Sequence, residues 1–316
     1  MPSSLALIAT QAARHDLHGM TYTMPRPSIT RSSASPWRQT KSAVMTASLV
    51  LALVVAVVPL VLIILYVISK GWASVNAPGW FTADIPIFSR AEGPGMGPAI
   101  TGTLMITGAA TAMAVPLGVL GGIYLNEYSA ASRYGKVIRF FADVMTGVPS
   151  IVMGLFVYVI WVLSFGLSAF AGALALGCLM LPIVIRTSEE MLKLVPRELR
   201  ESAYALGGRK AGTIVRVVLP AAAPGIISGA LLAVARAAGE TAPLLFTIGF
   251  VNQANNDLLH DPNTALSTQI FKNAISVFPG QVSRAWGAAL TLIGIVFVFT
   301  ILSRIASSFL SRKHQS

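Results

Sequence analysis

Apolar residues fall along this chain in long blocks separated by short charged segments. No Asp, Glu, Lys or Arg occurs in Ser42–Ser69, Gly93–Asn126, Val144–Ile185, Val217–Ala235 or Ala285–Ser303. About 20 apolar residues cross a bilayer core as a helix, so each block holds at least one span. The block Val144–Ile185 holds two, with a break predicted near Ser164-Phe165-Gly166. The pattern predicts an all-α integral membrane protein with six transmembrane helices, over 43–68, 98–125, 140–163, 168–187, 218–248 and 285–306.

Composition agrees with that class. Of 316 residues, 54% are hydrophobic and 11% charged, against about 25% charged in soluble domains. The single cysteine, Cys178, excludes an intrachain disulfide and a Cys-based zinc cluster and reads as a small packing residue. Residues 1–41 lack an apolar signal-peptide core, so residues 42–69 are expected to stay as the first transmembrane helix. The Ser/Thr/Pro/Arg-rich residues before it are expected to form a disordered tail.

The net charge of +11 changes the picture through its location. Alternate inter-span segments carry 18 Lys and Arg against 4. The basic side of a membrane protein faces the cytoplasm, which places both termini and the 186–216 loop there. Segments 70–97 and 251–284 then lie outside, and residues 98–306 form a core that ends in a cytoplasmic C-terminus, 307–316. A basic domain with interleaved aromatics is missing, so nucleic acid is not expected as a partner. Small-xxx-small pairs at Gly118/Gly122 and Gly225/Gly229 allow close helix packing in lipid. No internal repeat is evident, which disfavours a transporter built from inverted halves.

Residues 188–220 form the one long charged interruption of the core. Leu192, Val195, Leu199, Ala203 and Leu206 recur at three- and four-residue spacing and predict an apolar stripe on a surface helix. Pro196 is expected to open a second helix, with Arg197 and Glu198 in its first turn. Gly207-Gly208 should end it, because glycine accepts the left-handed cap conformation. The return, Arg209–Val218, leads to Pro220 at the start of the fifth span. On these grounds the segment is either an interfacial amphipathic helix or a docking element. The chain has no nucleotide loop of its own, since Gly135-Lys136 is followed by Val137 and lacks the preceding glycine.

The next span carries Arg236 and Glu240. Arg236 is 16 residues past Pro220, about 24 Å along a helix, which puts it beyond mid-membrane. A continuous helix would place Glu240 one turn further on the same face. A charge at mid-bilayer costs on the order of 2.5–3.5 kcal/mol, so such residues face a protein interior or a water-filled path. Mutual neutralisation is one reading. Arg before Glu is the weaker order for an i,i+4 pair, and Pro243 loosens the helix beside Glu240; both favour a solute path. Arg236 would offer planar multi-donor recognition of an oxyanion.

The segment at Glu201, Ala203, Gly207, Leu219 and Pro220 resembles in register the EAA loop of ABC-importer permeases, with Ser202 and Val217 as mild departures. ARAAGETAPLLFTIG at 235–249, GVPSIVMGLF at 147–156 and PGIISGALLA at 224–233 resemble phosphate-importer permeases. ALSTQIF at 265–271 and RAWGAALTLIG at 284–294 favour the PstA-type subunit. The resemblance covers about 98–306. It implies a type I importer permease fold and a subunit without its own ATPase site or cofactor. The implied partners are a PstC-type permease, two ATP-hydrolysing subunits that bind ATP and Mg, an extracytoplasmic phosphate-binding protein and membrane lipid. It implies that Glu201, Ala203, Tyr204, Leu206 and Gly207 meet the ATPase. It also implies that Arg236, Gly239, Glu240, Thr241 and Pro243 border the substrate pathway, with spans four and five carrying motion between the two sites.

Overall fold

The computed structural model describes residues 36–88, 93–129 and 132–313, and every regular element among them is helical. The expected tail falls outside the described residues up to position 35. In chain order the helices are α1 (Pro36–Val75), α2 (Gly97–Ile123), α3 (Arg133–Gly147), α4 (Ser150–Val157), α5 (Ala169–Lys193) and α6 (Arg197–Ala205). They continue with α7 (Lys210–Thr213), α8 (Leu219–Ala238), α9 (Leu244–Thr247), α10 (Leu266–Ala274) and α11 (Pro279–Lys313). Single π-helical turns extend α2 (Tyr124–Tyr128) and α4 (Tyr158–Val162), and a third, Ile214–Val218, joins α7 to α8.

Among the described residues, five stretches are long and apolar enough to cross a membrane: Trp37–Val75, Gly97–Tyr128, Ala169–Lys193, Lys210–Ala238 and Pro279–Ile305. A bent pair, Arg133–Gly147 and Ser150–Phe165, meeting at 105°, supplies a sixth only when its two halves are counted as one span. This differs from the straight helix expected over 140–163. Pro149 has an extended ψ of 134° and caps α4, so the chain turns there. The α3 half is amphipathic, with Tyr134, Val137 and Phe141 exposed at helical spacing and Gly135 and Ala142 buried. The predicted break at 164–166 is present: Gly166 has φ +86, and Ser168 caps α5 by accepting the Ala171 N–H.

Contacts divide the chain into a unit up to Val61 and one from Leu62 on. In the first, every side chain from Trp37 to Val61 is exposed on one apolar helix. The second is built around α5, which packs on α2, α8, α3 and α4, while α11 packs on α8 and α10. Its main core joins Ile106, Ala110 and Ala114 of α2 to Ala173, Leu176 and Met180 of α5 and to Val234 and Ala237 of α8. Small residues set these distances. A Cβ at Gly118 would lie 2.6 Å from Val184 Cβ, and one at Gly122 2.6 Å from Ser188 Cβ. At Gly229 it would lie 2.8 Å from Thr187 Cβ. Both predicted small-residue pairs therefore serve packing against α5.

The fifth span also differs from expectation. It begins earlier, at Lys210, and ends at Ala238 rather than 248. The N–H groups of Gly239 and Glu240 bond to the carbonyls of Arg236 and Ala237, 3.1 Å each, in a tight final turn. Pro243 has no N–H to bond the Gly239 carbonyl, so a further helical turn here would lack a bond. At the other end, Pro220 does not start the span. The π-turn lets Leu219 N–H reach the Ile214 carbonyl, and the helix runs through the proline.

Candidate functional site

The segment after α5 forms as its spacing predicts. Pro196 precedes α6, with Arg197 and Glu198 in the first turn. Gly207 has φ +82, its N–H bonds Tyr204 O at 2.9 Å, and Gly208 N–H bonds Ala203 O at 3.0 Å. These paired bonds are a Schellman stop, which places a left-handed residue where only glycine sits without strain. The predicted apolar stripe divides in two. Leu192 and Val195 are buried with Val218, Ala222 and Ile226, whereas Leu199, Tyr204 and Leu206 are exposed, Leu206 at 90%. Glu201 and Gly207 are exposed too, and Ala203 is half-buried. α6 and the stop that follows it thus present an open surface carrying all five residues of the predicted interface, Ala203 at the edge.

At the far end of α8, Arg236 is 69% exposed, and its Nε stands 3.7 Å from Oε1 of Glu240, which is 22% exposed. That distance is an ion-pair contact without a hydrogen bond. Glu240 lies beyond the helix, not one turn along it, yet the loop brings its carboxylate back to the arginine. Arg236 occupies the last turn of α8, where a cation is favoured by the exposed carbonyl ends. Gly239 is exposed and Thr241 half-buried, its carbonyl accepting from Leu244 and Leu245 N–H. Pro243 is buried against Gly154 of α4. The exposed face runs from Arg236 through Leu232 toward a groove of about 480 Å³ between α5, α8 and α11, lined by Thr187, Gly225, Ser228, Gly229, Leu232 and Arg304.

Other residues meet this site that sequence reasoning missed. Ser267 Oγ donates to the Glu240 carbonyl at 3.0 Å, and Leu266 N–H bonds Thr103 Oγ1 of α2 at 2.8 Å. Gln269 Nε2 bonds Thr264 Oγ1 at 2.9 Å. Asn263, Thr264, Ser267, Thr268 and Gln269 are all buried. Such uncharged polar residues carry no cost signal in a sequence window; the ALSTQIF motif at 265–271 touched Ser267, Thr268 and Gln269 but not Asn263 or Thr264.

A charged cluster near α6 was missed as well. Glu189 of α5 is 1% exposed and receives Arg139 Nε at 2.7 Å and Lys193 Nζ at 2.6 Å, with Arg186 Nη1 at 3.7 Å. Arg186 also pairs with Asp143. Arg200 of α6 reaches Glu127 Oε1 at 3.1 Å. The signal available was the density of Glu, Arg and Lys beside the span end. No group of three or more His, Cys, Asp or Glu that could hold a metal occurs among the described residues.

Long apolar helices packed around α5, a surface helix between two spans and an open arginine at the opposite end of the second define a permease of the type I ABC-importer class. Its fold is similar to a chain of the inward-facing MetNI methionine ABC transporter, at TM-score 0.54 and 16% identity, over 68% of this chain and 94% of that one. The chain belongs to the family described as binding-protein-dependent transport system inner membrane component, whose sequence model matches residues 114–314. It is therefore a transport component of the inner membrane. It is 42% identical to "Phosphate transport system permease protein PstA 1" of Mycobacterium tuberculosis (strain ATCC 25618 / H37Rv), over 88% of this chain and 91% of that protein. It is 40% identical to the PstA of Yersinia pestis, over 90% and 95%. The PstA of Mycobacterium leprae (strain TN) is 40% identical, over 87% and 91%.

Proposed function

We propose that this chain is the PstA-type subunit of an ATP-driven phosphate importer. It forms half of the translocation path beside a second, PstC-type permease. A pair of ATP-hydrolysing subunits binds ATP and Mg and docks on α6, and an extracytoplasmic protein delivers phosphate. Both termini and α6 face the cytoplasm, in keeping with the charge asymmetry of the loops. The names of the aligned relatives supply the substrate.

The observation that carries the reading is the open guanidinium of Arg236 at the end of a span, within 3.7 Å of one carboxylate. A charge placed at the end of an apolar span is costly in lipid and so faces a water-filled path or a partner. Arg236 attracts the oxyanion with a fork of N–H donors. Glu240 accepts a hydrogen bond from a phosphate that still holds a proton, as phosphoryl groups with a second pKa of about 6 do in part near neutral pH. Sulfate has no such proton to give. Closure of the ATPase pair moves the 188–220 segment and alternates access to the Arg236 end. The test is uptake of labelled phosphate by vesicles holding the complete assembly, with sulfate as competitor. ATP-dependent uptake that resists sulfate is the expected result. Absence of phosphate uptake, or equal competition by sulfate, would return the substrate to another oxyanion or small solute.

A further inference from the structure

We propose that α2 is the rod linking the docking helix to the Glu240 loop, gripped at its near end by Glu127 and Tyr128. This rests on the docking role given to α6 above. Both residues lie on the π-turn that ends α2. From the first turns of α6, the Arg200 guanidinium reaches Glu127 Oε1 at 3.1 Å and also bonds the carbonyls of Leu192 at 2.8 Å and Val195 at 2.7 Å. Glu127 is 8% exposed and Arg200 17%, so water screens the pair poorly. Glu127 Oε1 also accepts from Asn126 Nδ2 at 2.7 Å. Beyond the Gly207-Gly208 stop, Lys210 Nζ stands 4.5 Å over the Tyr128 ring, a cation–π contact. The two flanks of the docking helix therefore hold the same turn. Within α6 itself Arg200 and Ala203 are the two half-buried residues, and the others are exposed.

The rest of α2 is built to transmit a push. It lies against α5 with no room for a side chain at Gly118 or Gly122, and Ala110 and Ala114 are buried on both turns before its internal Pro116. Packing on both sides holds the helix where the proline removes a bond. From Glu127 back to Thr103 is 24 residues, or about 36 Å. At that end Thr103 Oγ1 takes the Leu266 N–H at 2.8 Å. Gly102 is so close to Asn263 and Thr264 that a Cβ there would meet Asn263 Oδ1 at 2.6 Å. The next residue, Ser267, holds the Glu240 carbonyl at 3.0 Å. A displacement of α6 along α2 thus reaches the backbone of Glu240, the residue paired with Arg236, through two hydrogen bonds. Spans four and five, α5 and α8, are joined by a parallel route through α2.

Glu127, Tyr128 and Thr103 are positioning residues in this scheme, and the test reads coupling rather than binding. The full importer is reconstituted in proteoliposomes and phosphate taken up per ATP hydrolysed is measured. Glu127→Gln, Tyr128→Leu and, at the far end, Thr103→Val should each lower that ratio by about three- to tenfold. The ATPase subunit should still co-purify, and Tyr128→Phe, which keeps the ring, should restore the ratio. An unchanged ratio in the Glu127→Gln/Tyr128→Leu double variant overturns the proposal. So does loss of ATPase co-purification in Glu127→Gln, which would make the pair part of the docking surface itself. If the unmodified importer takes up no phosphate, the substrate reading fails instead. The link is then read from stimulation of ATP hydrolysis by the binding protein, with the same two outcomes.

Discussion

Gly154 of α4 lies directly on the backbone of Pro243: a Cβ at 154 would stand 2.6 Å from the Pro243 Cα and 2.9 Å from its carbonyl oxygen. Two motifs nearly ninety residues apart in sequence thus meet beside the Arg236 loop. Backbone cannot move aside as a flexible side chain can, so Gly154→Ala should destabilise the assembly by about 1–3 kcal/mol. Thermal unfolding in detergent checks this, with Gly108→Ala as the comparison. Gly108 has nothing within 4 Å of its Cβ position, and its substitution should leave the transition in place.

Glu189 gathers Arg139 from α3 and Lys193 from its own helix while almost wholly buried. Arg139 in turn donates to the Leu125 carbonyl at 2.9 Å, so α3, α5 and the end of α2 meet there. Removing the carboxylate takes the shared acceptor from Arg139, 19% exposed, and from the more exposed Lys193. Glu189→Ala should lower stability by about 1–3 kcal/mol, whereas the exposed neighbour Glu190→Ala should change it by no more than about 0.5 kcal/mol. Equal transitions for the two variants in a thermal assay would contradict the account.

Tyr204 is 42% exposed on α6. As its ring faces outward, Tyr204→Asp should abolish co-purification of the ATPase while the helix content and detergent stability of the chain persist. Retained co-purification with normal uptake would remove α6 from the interface.

Much of this architecture was legible in the sequence because membranes impose a strong rule: charge is excluded from spans. The blocks without Asp, Glu, Lys or Arg located the five long apolar helices and the α4 half of the bent pair, and the Gly207-Gly208 pair located the end of α6. The span ends were less legible. Pro220 reads as a helix start, but a π-turn at Ile214–Val218 absorbs it. Glu240 reads as one turn past Arg236, but Gly239 and Pro243 end α8 first and the pairing is made by the loop. The bend at Pro149 could have been suspected from Arg133, Lys136 and Arg139 beside exposed aromatics. Glu127 and Arg200, 73 residues apart, carry no local periodicity that would join them.

Glu240→Gln keeps shape and removes the charge that accepts the hydrogen bond from a protonated phosphate. Sulfate should then compete with phosphate about tenfold better than in the unmodified importer, at equal assembly. Uptake assays across a sulfate series give the ratio. An unchanged ratio would assign selection to the delivering protein and leave Glu240 as the partner of Arg236.

The most direct measurement compares ATP-dependent phosphate uptake by the unmodified importer with Arg236→Ala and Arg236→Lys at matched assembly. Loss of a charged, multi-donor contact should reduce uptake by roughly 30-fold or more in Arg236→Ala. Arg236→Lys should recover only part of it, because a single ammonium does not reproduce the guanidinium fork. ATP hydrolysis should survive in both. Full uptake by Arg236→Ala would contradict the account and leave Arg236 as the charged end of a helix.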